Sequence, residues 1–149
     1  MNQRRSLVLA AGAVLVLGMV PGARAQQALP PVTVYKSPAC GCCGEWVKHM
    51  QASGFRVETR EVDDVTSIRR RYGVADELSS CHTAVVGGYV IEGHVPAADI
   101  KRLLRERPSA KGLAVPGMVD GSPGMAQGQP RPYATLVFDE RGSKVFERH

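Results

Sequence analysis

Apolar and polar positions along this chain follow two periods, and the switches between them mark its elements. Val32-Thr33-Val34-Tyr35 is β-branched and aromatic, a strand ended by Ser37-Pro38. From about Cys40 the period lengthens. Cys43, Trp46, Val47 and Met50 fall at i, i+3, i+4 and i+7, one stripe of a helix that Gly54 stops. Phe55 to Val62 reads as a second strand with Phe55, Val57, Thr59 and Glu61 on one side, its alternation imperfect. Asp64 suits the N-cap of a short helix through Tyr72, with Val65, Ile68 and Tyr72 turned inward and Gly73 ending it. Within that helix Arg69, Arg70 and Arg71 read as a solvated face. Val74 to Ser80 reads as a connecting loop.

Thr83-Ala84-Val85-Val86 and Tyr89-Val90-Ile91-Glu92 flank Gly87-Gly88, the clearest hairpin signal in the chain. Pro96 then opens a helix with Ile100, Leu103 and Leu104 on its inner face. Arg105 and Arg107 suit its C-terminal dipole before Pro108. Gly112 to Pro132 reads as a Gly- and Pro-rich loop, and Tyr133 to Asp139 with Lys144 to Arg148 as a last pair of strands. The order predicts an α/β domain, a mixed sheet flanked by helices. It is the order of the thioredoxin-like fold, with a C-terminal β-hairpin added.

The first 25 residues follow other rules. Arg4 and Arg5 precede the apolar stretch Leu7 to Val20, and Ala23-Arg24-Ala25 has the small-x-small form of a cleavage site. The stretch is shorter than the roughly 20 residues a membrane-spanning helix needs. Residues 1–25 are therefore expected to be an export signal and 26–149 the folded domain, periplasmic and without stable membrane insertion; an uncleaved anchor is the alternative. The paired arginines do not separate a twin-arginine route from the general one. The leader also changes the charge balance. The chain holds 19 basic and 14 acidic residues, and Arg4, Arg5 and Arg24 leave with the signal. Nothing in the near-even remainder calls for nucleic acid.

The chemistry lies in Cys40-Gly41-Cys42-Cys43 and in Cys81, which His82 follows. Exported cysteines usually pair as structural disulfides. Against that, Cys42 and Cys43 are adjacent, and a domain of this size has less need of staples. Cys40 and Cys43 have the C-x-x-C spacing, which places both on one face of a helix start, where free amides and the dipole favour thiolates. That arrangement serves disulfide exchange and metal binding alike. Cys42 shifts the balance towards metal: exchange needs one attacking and one resolving thiol, whereas a soft d10 ion such as Cu(I) gains bonds from each added sulfur. Zinc is the nearest metallic rival, but three clustered cysteines and one Cys-His step fit its paired signature poorly.

Other donors follow from their places. His82 is a candidate ligand, or a donor behind the ligands. Met118 and Met125 add soft thioethers in a loop without helical period. His94 is read as orienting the turn before its helix, and His49, off the apolar stripe, as exposed.

Several stretches now agree in order: Cys40-Gly41-Cys42-Cys43-Gly44, Ser80-Cys81-His82-Thr83-Ala84, Tyr89-Val90-Ile91-Glu92-Gly93-His94-Val95-Pro96, Gly112 to Met118, and Gly121-Ser122-Pro123-Gly124-Met125. In these the chain resembles the CopG-type periplasmic copper-resistance family, from Val32 to Met125. The resemblance implies a thioredoxin-like fold and copper held by Cys40, Cys42, Cys43 and Cys81, with a multinuclear cluster among the forms such a site takes. It implies a role in copper tolerance, with a change of copper oxidation state as one route. Thioredoxins place a cis-proline before their third strand, facing the redox pair; here Cys81-His82-Thr83 stands there, without a proline. The resulting expectation is an exported Cu(I)-binding protein that sequesters, transfers or redox-cycles copper, with other periplasmic copper-handling proteins as partners. The alternative is a thiol–disulfide oxidoreductase using Cys40 and Cys43. Whether the protein is an enzyme, a copper oxidoreductase, stays open.

Overall fold

The computed structural model describes residues 28–126 and 128–149. The expected export signal, residues 1–25, lies outside the described residues. β1 (Val32–Lys36) leads to α1 (Gly41–Ala52), β2 (Val57–Glu61) and α2 (Val65–Arg71). A 3-10 turn, Asp76–Leu78, precedes β3 (His82–Val86) and β4 (Tyr89–Gly93). Then come α3 (Ala97–Glu106), β5 (Gly112–Val115), β6 (Ala134–Asp139) and β7 (Gly142–Arg148).

The strands form one mixed sheet in the order β2-β1-β3-β4-β5-β6-β7. β1 pairs parallel with β2 and β4 with β5, while the other neighbours run antiparallel. Alternation along the strands supplies a core to each face. Trp46 and Met50 of α1 and Ile100 and Leu103 of α3 meet Val32, Val34, Ala84, Val86, Ile91, Leu113 and Val115 on one side. Val74, Leu78, Val90, Ala114 and Phe138 close the other, with Tyr72 against them. This is the expected thioredoxin-like α/β arrangement, with the β6–β7 hairpin extending the sheet.

Local signals act as their chemistry dictates. Asp64 caps α2, its carboxylate accepting from the Ser67 amide at 3.1 Å. Gly87 and Gly88 both take positive φ, 56° and 88°, in the turn between β3 and β4.

Three expectations are corrected. Gly112–Val115, read as the start of a loop, is a strand buried along its whole length between β4 and β6. A side chain at Gly112 would collide with the Val90 carbonyl, so glycine there permits close strand approach. The stretch before Cys81 is not all loop but contains the 3-10 turn Asp76–Leu78, whose Leu78 is buried. The strand over Phe55–Val62 shortens to β2, an edge strand exposed from Glu58 to Glu61, and of the four positions assigned one side Phe55 alone is buried.

Candidate metal centre

The site forms where β1 ends, α1 begins and β3 starts. Cys40 is the N-cap residue of α1, with extended backbone (φ −82°, ψ 94°) and no side-chain cap bond. Cys42 and Cys43 lie in the first turn, which carries no acidic residue, so the positive end of the helix dipole faces the sulfurs uncompensated. Cys43 is buried; Cys40, Cys42 and Cys81 are partly open. The ligand atoms of Cys40, Cys42, Cys43 and Cys81 all lie within 4.8 Å of one another.

Within this cluster Cys40 and Cys43 are joined by a disulfide. Cys42 and Cys81 are free thiols. Cys42 Sγ lies 3.5 Å from Cys40 Sγ and 3.6 Å from Cys81 Sγ. Cys43 Sγ approaches the Cys81 carbonyl at 3.8 Å. Burial first, then its contact with Cys42, pushes the Cys81 thiol up to about 12. Cys81 therefore keeps its proton at neutral pH.

The other candidate donors fall in different places. His82 is wholly enclosed at the start of β3, its ring 4.5 Å from that of Trp46 and 5.1 Å from that of His94. Neither of its ring nitrogens has a hydrogen-bond partner among the described residues. Burial, then the His94 ring, holds His82 down at about 3, with only a weak opposing pull from the Gly93 backbone. His94 donates through Nδ1 to the Pro123 carbonyl at 2.8 Å, which leaves Nε2 unprotonated and without a partner among the described residues. His94 thus ties the loop after β5 to the α3 side of the site, beyond the turn-orienting part its sequence position suggested.

That loop divides the methionines. Met118 is 61% exposed and Met125 is buried. Gly117 is pinned beside the site: its amide donates to the Ser79 carbonyl at 2.8 Å, and its carbonyl accepts from the Ser80 hydroxyl. Gly124 lies against α1, where an added Cβ would stand 2.8 Å from both the Cys42 carbonyl oxygen and the Trp46 amide nitrogen. The loop forms one wall of the thiol cluster.

Two residues read as solvent-facing are not. His49 is half-buried, and its Nε2 accepts from the Ala97 amide at 3.0 Å, closing the N-terminus of α3, which Pro96 cannot cap with a side chain. Arg69 is buried, pairing with the wholly enclosed Glu92 at 2.8 Å. Glu92, a charge inside an otherwise apolar strand run, was the signal that such a partner exists.

A family model described as a protein of unknown function, DUF411, matches residues 78–125. No curated protein matches the chain. Among solved structures, one described as copper resistance protein CopG, form 2, is 41% identical, with the match covering 81% of this chain and 98% of that one at a TM-score of 0.76. Form 1 of the same protein matches at 41% identity and a TM-score of 0.75, with the same coverage. Fold and site together define a thioredoxin-like domain bearing a cluster of four cysteines. The chain belongs to the copper resistance protein CopG family. No helix among the described residues is long and apolar enough to cross a membrane.

Proposed function

We propose that this is an exported, periplasmic Cu(I)-binding protein of copper resistance, which sequesters copper, passes it on or cycles its charge through Cys40, Cys42, Cys43 and Cys81. The observation that carries this reading is the gathering of four sulfurs within 4.8 Å, three from one helix start and one from 38 or more residues away in sequence. Thiolates select a soft monovalent ion over harder cations. The two similar structures, both of a copper resistance protein, point the same way. Two of the sulfurs are bridged, so full coordination requires a thiol reductant to supply two electrons and two protons to the Cys40–Cys43 bond, giving two thiols. Met118 and Met125 are proposed as further soft donors from the loop wall. His82 is proposed to stand behind the sulfurs. Copper-handling proteins of the same compartment would be the donors or acceptors of the ion.

Anaerobic Cu(I) titration of the reduced protein against a colorimetric chelator, with copper counted per chain, tests this. Binding well tighter than micromolar, weakened in C42S and in C81S, is expected. Micromolar binding indifferent to both substitutions would sink it.

A second reading draws on the bridged pair itself. With Cys42 Sγ 3.5 Å from Cys40 Sγ, a thiolate at Cys42 could attack that sulfur and release Cys43, the elementary step of disulfide exchange. Catalysed reduction of insulin disulfides would favour this oxidoreductase reading.

A further inference from the structure

Ser80, the residue before Cys81, is held from several sides. Its amide donates to Glu92 Oε1 at 2.8 Å, and its carbonyl accepts from Arg69 Nη2 at 2.7 Å. Arg69 Nε donates to the same Glu92 Oε1 at 2.8 Å, closing a ring of contacts around the backbone of one residue. Glu92 Oε2 takes a further bond from the Thr83 hydroxyl at 2.7 Å. Cys81 lies between these two anchored neighbours. Gly93 lets the chain approach this closely, since a side chain there would collide with Ser80 and with the Val115 carbonyl.

A buried ion pair is a poor device for stability, because desolvating both charges offsets most of their attraction and an apolar pair of similar volume often does as well. Here Arg69 is 8% exposed and Glu92 not at all. What the pair does supply is direction: the planar guanidinium and the carboxylate present fixed hydrogen-bonding positions, which hold Ser80 on one side of Cys81 and Thr83 on the other. The pair comes from α2 and β4, so it fixes the Cys81 backbone to the sheet independently of α1 and its three cysteines.

We infer that Arg69 and Glu92 are positioning residues for Cys81, holding its sulfur at the distance from Cys42 that lets the later cysteine join the cluster. The inference rests on the reading of Cys81 as one of the four site thiolates. In a thioredoxin-like fold whose third strand is preceded by Ser79-Ser80 and no proline, the charge clamp sets the course of the backbone facing the helix start.

The test needs no copper. In a C40S/C43S background, Cys42 and Cys81 are left as one thiol pair 3.6 Å apart. Glutathione disulfide oxidises that pair: one Cys42–Cys81 bond forms, one glutathione disulfide bond breaks, and two electrons and two protons pass to two glutathione thiols. The equilibrium reads the effective concentration of one thiol at the other. R69M and E92Q are expected to lower it tenfold or more, with R69K in between. The paired replacement R69M/E92M is expected to lower it equally while its urea midpoint stays at or above the parent's. That variant decides the matter where a single substitution fails to fold. A purely structural clamp would move the urea midpoint and leave the effective concentration alone, so a folded R69M/E92M within twofold of the parent would overturn the inference. Cu(I) titration of wild type and C81S keeps the two readings apart: if C81S retains full copper binding, the assignment of Cys81 as a ligand fails, while the glutathione equilibrium still judges the clamp.

Discussion

Cys42 and Cys81, 39 residues apart in sequence, hold their sulfurs 3.6 Å from each other. The first is carried by the start of a helix, the second by the first step into a central strand. Their meeting turns a three-cysteine motif into a four-sulfur cluster. The pair remains unbridged while Cys40 and Cys43 are joined, so half of the cluster is oxidised and half is available.

Copper capacity should therefore depend on prior reduction. With the bridge intact only Cys42 and Cys81 can bind as thiolates; opening it doubles the donors. Protein treated with a dithiol and then freed of it under anaerobic conditions is expected to bind more Cu(I) per chain than untreated protein. It should also bind at least about tenfold tighter, a difference of about 1.4 kcal/mol. C40S should lose the part of this dependence that comes from the Cys40–Cys43 bridge, which can no longer form. Equal copper counts before and after reduction would contradict the expectation.

Gly124 is the point where the loop wall touches the helix that carries the thiols. Its φ of +85° lies in the region L side chains avoid, and an added methyl would press on the Cys42 carbonyl and the Trp46 amide. Those are backbone atoms of a helix and cannot swing aside. Gly124→Ala is expected to cost about 2 kcal/mol or more, read as a lower urea midpoint at unchanged slope. Gly88→Ala makes the control: it shares a positive φ, but nothing stands within 4 Å of its added Cβ, so only the backbone cost should appear.

The elements legible in the sequence were those whose signal is local. The Gly87-Gly88 turn, the Asp64 cap and the Cys43–Met50 stripe each state their structure within a few residues. β5 was not legible, because Gly112-Leu113-Ala114-Val115 is covered on both faces and so shows no alternation. It is also a parallel partner of β4, reached only through α3. Arg69 was hidden among identical neighbours. Consecutive helical residues point roughly 100° apart, so one arginine of three turns to the sheet while composition treats them alike. The cysteine set was legible through family resemblance and soft-donor chemistry, but the clamp at Ser80 was not, since its two charges lie 23 residues apart on different elements. Burial of His82 also left no mark in the sequence, since nothing in the Cys81-His82 step announces that its ring packs against Trp46 and His94.

His49 supplies another measurable consequence. α3 starts after Pro96, which offers no side-chain cap, and the Ala97 amide is satisfied by His49 from the neighbouring helix. Removing that acceptor leaves a helix-start donor without its partner. His49→Ala is expected to cost about 0.5–2 kcal/mol, the usual range for a lost N-cap. Lys48→Ala, one position earlier, breaks only an exposed pair with Glu45 and should fall within about 0.5 kcal/mol of wild type. Chemical denaturation of the two variants side by side checks this; equal losses would remove His49 from its capping role.

The buried imidazoles make the metal-free protein acid-sensitive, and the sign follows from their lowered affinity for protons. His82 is held at about 3 inside the fold and returns to an ordinary value near 6.5 when the chain unfolds. Burial lowers His94 in the same direction. Around His82 stand the Trp46 ring of α1, His94 beyond β4, and Lys36, its register partner on β1, whose charge opposes protonation further. Above about pH 6.5 both folded and unfolded states are neutral at His82, and its contribution does not vary. As pH falls from 6.5 towards 3, the unfolded chain takes up a proton that the folded one refuses, so the folded state loses about 1.4 kcal/mol per pH unit from His82. By pH 5 that amounts to about 2 kcal/mol. Urea midpoints of the reduced, copper-free protein should be flat with respect to these groups near pH 8 and fall below pH 6.5. In His82→Leu the fall should be shallower by about one proton's worth of slope. A variant with the wild-type acid slope would mean that His82 is already charged, or open to water, in the folded protein.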